Sequence, residues 1–253
     1  MNRLSWLELA VVMVMLGTWG VLLIPVAESA FGADQLVVCA NNLKQLGITL
    51  KMYVNESRGE TYPPISPLRD NWIVDPAVIL GEYLDDPERL RCPSQPQSTP
   101  EAFSLVSNWE HPGAVIGQPH ADCISSRFYV YTGFMVMDDL EAVALFDASR
   151  SSNWKTFRDY DLSRMPYSLD AYARVTGEIP VIWDRVPDTL SSMAHDALGG
   201  NVLFNDGHVE FYPYRHDNPG HLFPMTRISG QTFGAVLPNL SSDCQPIPKD
   251  GIR

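Results

Sequence analysis

Basic residues are scarce in this chain: 18 Lys and Arg stand against 30 Asp and Glu in 253 residues, a formal net charge of −12. Neutralising phosphates needs clustered cations, and no run of that density occurs, so a nucleic-acid partner is excluded. Cysteine is sparse as well. Cys39, Cys92, Cys123 and Cys244 lie far apart with no C-x-x-C pair, which excludes the zinc-ribbon and thioredoxin spacings. Two disulfides are open to an even count outside the cytoplasm, in any of three pairings. The G-x-S-x-G, H-E-x-x-H and P-loop patterns are missing, and with them the common fingerprints of hydrolases, metalloproteases and nucleotide-binding enzymes. The acid pairs Asp85-Asp86 and Asp138-Asp139 have the residue type of a glycoside hydrolase, but adjacent acids more often begin a helix or sit in a solvated loop. The chain reads as a non-enzyme with no obligatory cofactor.

A hydrophobic content of 45% is enough to bury a core. Its longest uncharged run, Leu9 to Ala27, would span roughly 28 Å as a helix, close to the ~30 Å hydrocarbon core of a bilayer. Arg3 precedes it and Glu28 and Asp34 follow, a bias that leaves the N-terminus cytoplasmic and the rest outside. A cleaved signal peptide ending near Ala27-Glu28-Ser29 is the competing reading. Glu8 stands at the start of the run, where a carboxylate marks either function or escape to the interface. Gly17 and Gly20 permit close helix approach, and Pro25 removes a backbone donor. Beyond the run, Leu36, Cys39, Leu43, Leu46, Leu50 and Tyr53 recur at three- and four-residue steps, a stripe that Arg58-Gly59 and Pro63-Pro64 terminate.

The expected organisation is therefore a leader and transmembrane helix over 1–30, an amphipathic extension over 31–58, and an extracytoplasmic α+β head over 59–253. The 20 prolines suit a head rich in loops. Near its end, Asn201–Phe204 and His208–Phe211 are short strand-like runs, and Asp206-Gly207 between them is the chemistry of a tight hairpin turn. Three readings of this stretch stand side by side. Asp206 and Gly207 can be a turn alone; His195, Asp206 and His208, joined by Asp184, can converge on a metal ion; or His195 can make a structural hydrogen bond that fixes its loop to the hairpin. Trp72, Trp109, Trp154 and Trp183 are too scattered for a sugar-stacking surface and read as core or loop anchors, while His216 and His221 fall in a Pro/Gly loop.

The order of a short basic leader, an apolar segment with one early glutamate (SWLELAVVMVMLGTWGVLLIPVA) and a striped helix resembles the N-terminus of type IV pilins and type II secretion pseudopilins. CANNLKQLGITLKMYVNE, RLRCPS, IPVIWD and GGNVLFNDGHVEF extend the likeness to prepilin-like proteins with a C-terminal H-X9-DG segment, leaving residues 100–175 unmatched. The resemblance implies a pilin-like fold: a long helix, half membrane-spanning and half amphipathic, packed on a mainly antiparallel sheet. It implies a structural subunit of a type II secretion or type IV pilus-related assembly, with the membrane, other pilin-like subunits and a prepilin peptidase as partners. Glu8 would pair with a neighbouring subunit's N-terminal amine, Pro25 would kink the helix, and Gly17 and Gly20 would serve packing. Cleavage would fall between Arg3 and Leu4, with Arg3 where the family carries glycine. A Cys39–Cys92 bond would join spine to head and leave Cys123 with Cys244. From His195 to Asp206 there are ten intervening residues, one more than the family spacing. The alternative function is a permanently membrane-anchored extracytoplasmic domain that binds or turns over a ligand, a metal or a glycan among the candidates.

Overall fold

The computed structural model describes residues 6–57, 61–95, 98–158, 177, 179–187, 195, 199–214, 223–244 and 246, with the side chains of 7–9, 17–34, 156 and 158 outside that description. Helix α1 runs Trp6–Glu56. Its C-terminal half explains its own packing: Cys39, Leu43, Leu46, Leu50 and Val54 fall on one stripe and are buried, whereas Val37, Val38, Ile48 and Met52 on the other side are exposed. The stripe differs from the sequence reading at both ends, since Leu36 and Tyr53 are only half-buried and Val54 closes it. Gly47 lets α1 approach the sheet, because a Cβ there would meet the Leu203 side chain at 3.0 Å.

Four strands form one antiparallel sheet in the order β1 (Tyr129–Tyr131), β2 (Pro180–Asp184), β3 (Gly199–Phe204) and β4 (Val209–Pro213). β2 and β3 are buried along their whole length, which suits their near-continuous apolar runs; β4 is partly exposed. β3 and β4 are a hairpin, with Gly200 opposite Tyr212 and Leu203 opposite Val209. Gly207 turns the chain at φ 93°, a conformation that glycine adopts without a Cβ penalty. Gly199 begins β3 where a Cβ would lie 2.1 Å from the Tyr212 carbonyl oxygen, so no larger residue fits.

Short helices α2 (Pro76–Ile79), α3 (Asp139–Ser151) and α4 (Trp154–Arg158) complete the layer around the sheet. The paired acids are helix starts. Asp138 accepts hydrogen bonds from the amides of Leu140 and Glu141 at the head of α3, and Asp86 caps the turn Pro87–Leu90. Trp72, Trp154 and Trp183 are core residues: Trp72 packs edge-on to Trp154 at 5.4 Å and to Phe233 at 4.9 Å. Trp109 is 87% exposed and anchors no core.

The expected pilin-like fold with a membrane-spanning half is corrected: among the described residues, no helix is long and apolar enough to cross a membrane. The architecture is α+β, an antiparallel four-stranded sheet with mostly short helices around it. From Cys39 onward the apolar stripe residues of α1 serve a protein core instead. The stripe is buried against protein, and the opposite face mixes exposed Lys44 and Gln45 with exposed Val37, Val38, Ile48 and Met52.

Candidate functional site

One constellation of polar and sulfur side chains lies where α1, the segment after Leu90, and strands β2 and β3 meet. Each element contributes for a local reason. Cys39 sits on the buried stripe of α1, and Cys92 follows the one-turn helix Pro87–Leu90 that Asp86 caps. Asp184 ends β2, and Asn201 lies on the neighbouring strand β3. His195 reaches them from a backbone turn at φ 58°. Cys39 and Cys92 are joined as a disulfide with Cα atoms 5.1 Å apart. Beside it Asn42 donates to the Arg91 carbonyl at 2.9 Å, and Arg89 donates to the Asn42 side-chain oxygen at 3.3 Å. The α1 segment CANN is thus held to RLRCPS by one covalent and three polar links, the third between Cys39 Sγ and the Ser94 hydroxyl at 3.6 Å.

One oxygen of Asp184 organises the rest. Oδ2 lies 3.0 Å from Nε2 of His195, and accepts from the Asn201 amide at 2.7 Å and the Asn201 side chain at 2.9 Å. His195 and Asp184 side chains are 4% and 1% exposed, so this is a buried carboxylate with concentrated donors. Cys92 Sγ is 3.9 Å from the same histidine nitrogen. The neighbouring Tyr129, paired with Asp184 across β1 and β2, is pushed well above its ordinary pKa by burial, and the Asp184 charge adds to the shift.

Ligand-type atoms of Cys39, Cys92, Asp184 and His195 lie within 4.8 Å of one another. With both sulfurs in a disulfide, neither offers the thiolate that a soft metal takes, and the arrangement works as a staple: a covalent bond and a carboxylate-centred network that join helix, loop and sheet. Of the metal candidates from sequence, His195 and Asp184 come together, and Asp206 and His208 do not join them. Asp206 lies past the far end of β3, where Oδ1 accepts from the His208 amide at 2.9 Å and meets the His208 ring at 2.5 Å. Hydrogen bonds from the His208 amide and ring hold the Asp206 carboxyl below its ordinary value against the opposing effect of burial. His208 in turn stacks on Phe204 at 4.4 Å. The Asp206-Gly207 pair is turn chemistry, and the structural hydrogen bond belongs to His195.

Cys123 and Cys244 form the second disulfide, and no free cysteine remains. Arg3 and Leu4 lie outside the described residues, as do the side chains of Glu8 and Pro25; Gly17 and Gly20 fall within the helical backbone of α1. His216 and His221 are also outside the described residues.

Sequence reading passed over a second cluster, beside Cys123–Cys244. Asp243 accepts from the amides of Trp109 at 3.1 Å, Glu110 at 2.6 Å and His111 at 3.2 Å, and from the Ser107 hydroxyl. Burial acts to raise its pKa, but these hydrogen bonds, together with the His111 ring, outweigh it and hold the carboxyl down to about 2. Against an ordinary carboxylate near 3.9, the folded state binds the proton less tightly than the unfolded chain. The resulting stability is present above about pH 4 and is lost as pH falls toward 2. Asp243→Asn is therefore expected to lower the urea midpoint at pH 6 and to flatten its fall between about pH 4 and pH 2, measured in chelator-containing buffer; an unchanged pH profile would refute the account. No local signal in the sequence marks this cluster, because its members are 132 positions apart.

No protein-family model, curated protein or solved structure matches this chain. What the fold and site define by themselves is a class: an α+β domain whose N-terminal helix is disulfide-bonded to the loop after Leu90, beside its sheet.

Proposed function

We propose that this protein is a non-enzymatic, prepilin-like structural subunit of a type II secretion or type IV pilus-related surface assembly. Its N-terminal segment holds it at the membrane and packs against other subunits, and its head lies outside the cytoplasm. One observation carries the reading. The segments that bear the resemblance, CANN on α1, RLRCPS, the end of IPVIWD and His195, are distant in sequence and meet in one buried contact. That contact makes the helix and head a single mechanical unit, which a subunit needs if helix packing is to position the head. Two disulfides suit an oxidising exterior. The exposed apolar residues Val11, Val12, Met13, Val14, Met15 and Leu16 give the N-terminal part of α1 a surface for neighbouring helices or lipid.

The intact mass of the full chain extracted from membranes tests the proposal. Loss of Met1 to Arg3 with one added methyl is the expected result, accompanied by loss of assembly in Glu8→Gln, whose carboxylate would pair with a neighbour's amine. Loss of about 29 residues would identify a signal peptide and a released domain instead. An uncut N-terminus with assembly indifferent to Glu8→Gln would make the chain a fixed anchor for a binding head.

A further inference from the structure

Around the second disulfide, two carboxylates bracket one histidine. Asp122 immediately precedes Cys123 and Asp243 immediately precedes Cys244, so the Cys123–Cys244 bond fixes the two acids relative to each other. His111 sits between them, with Nδ1 3.1 Å from Asp243 Oδ2 and Nε2 2.7 Å from Asp122 Oδ2. Asp243 is fully buried and held by backbone amides, whereas the Asp122 side chain is 52% exposed. The His120 ring lies 4.5 Å from that of His111, centroid to centroid, and ligand atoms of His111, His120 and Asp122 all fall within 4.8 Å of one another.

We propose that His111, His120 and Asp122 form a binding site for a divalent transition-metal ion of the zinc type, with Asp243 as the positioning residue behind His111. Two imidazoles and one carboxylate are a donor set that zinc takes, with water in the fourth position of a tetrahedron. A second, independent feature is the carboxylate behind the histidine. Ligand histidines characteristically pass their other ring N–H to a carboxylate, which sets the tautomer and aims the free nitrogen at the metal. Asp243 stands in that relation to Nδ1, leaving Nε2 toward Asp122 and His120. The metal replaces the proton through which Nε2 now meets Asp122; that proton leaves to solvent.

Exposure grades across the site from Asp243 at 0% through His111 at 18% and His120 at 30% to Asp122 at 52%, so the inner side is rigid and the outer side is open to an entering ion. The disulfide supplies the preorganisation. His120 is tied only lightly, its Nδ1 accepting the Asp122 amide at 3.3 Å, so the ring has freedom to turn onto an ion. The site is independent of whether the chain assembles.

The test is titration of the oxidised full chain, stripped with chelator, with Zn2+, read by calorimetry and by metal content after gel filtration. One bound equivalent is expected, with a rise in melting temperature that chelator reverses. His120→Ala and Asp122→Asn, which leave Asp243 and its hydrogen bonds in place, are expected to abolish the retained equivalent in protein that still unfolds cooperatively without metal. Asp243→Asn is expected to weaken Zn2+ binding by about 10- to 100-fold, the usual cost of losing a carboxylate behind a ligand histidine. With Co2+ in place of Zn2+, the wild type should show the visible absorption of a bound ion and His120→Ala should lose it. No retained Zn2+ in the wild type, or retention unchanged in both His120→Ala and Asp122→Asn, would overturn the proposal and leave His111 as a clamp between two acids.

Discussion

Asp184→Ala is expected to cost the head about 3–5 kcal/mol, the range for removing one partner from a buried charged network. The side chain is 1% exposed, and its Oδ2 serves His195 Nε2, the Asn201 amide and the Asn201 side chain together. Alanine leaves these donors in a place water does not reach, and each buried unsatisfied group costs about 1–3 kcal/mol. Denaturant unfolding of the oxidised protein measures the loss. Asp184→Asn separates the hydrogen bonds from mere volume, since its amide oxygen can still accept from Asn201 while its NH2 group faces His195. It should cost clearly less than alanine. Equal losses for the two variants would mean that the contact is held by packing and not by the carboxylate.

The paired substitution Cys39→Ser and Cys92→Ser is the other large effect. The disulfide closes a loop with a sequence separation of 53, for which chain entropy alone gives about 4 kcal/mol. Chain entropy ranks the Cys123–Cys244 loop, with a separation of 121, ahead by less than about 1 kcal/mol. If the Cys39–Cys92 bond also keeps α1 seated on the sheet, its removal should cost at least as much as loss of the longer loop. It should also raise hydrogen exchange in α1 from Cys39 to Val54 before the sheet is affected. A loss well below that of the Cys123–Cys244 pair, with α1 still protected, would show that the packing of Leu43, Leu46 and Leu50 seats the helix without help.

Much of the fold was legible because its signals are local. The stripe through Cys39, Leu43, Leu46 and Leu50 repeats at the period of a helix, and Asp206-Gly207 between two short apolar runs is a hairpin whatever surrounds it. Asp86 and Asp138 were legible as helix starts for the same reason, since a cap contacts amides two or three residues onward. Composition places the run from Leu9 to Ala27 at membrane length; residues 17–27 of it lie outside the described side chains, and among the described residues no helix is long and apolar enough to cross a membrane.

The sequence by itself determined the alternation and turns of the last hairpin, the buried face of α1, the acidic net charge, and the even set of cysteines. Only the tertiary structure decided which atoms touch. It joined Cys39 to Cys92 and Cys123 to Cys244, brought His195 and Asp184 together, and kept Asp206 and His208 at the other end of a strand. It also placed Asp243 behind His111 across 132 positions. Side-chain period and turn chemistry act over a few residues and can be read along the chain, whereas convergence on one carboxylate is set by strand order and by where loops close, and no short-range pattern encodes either.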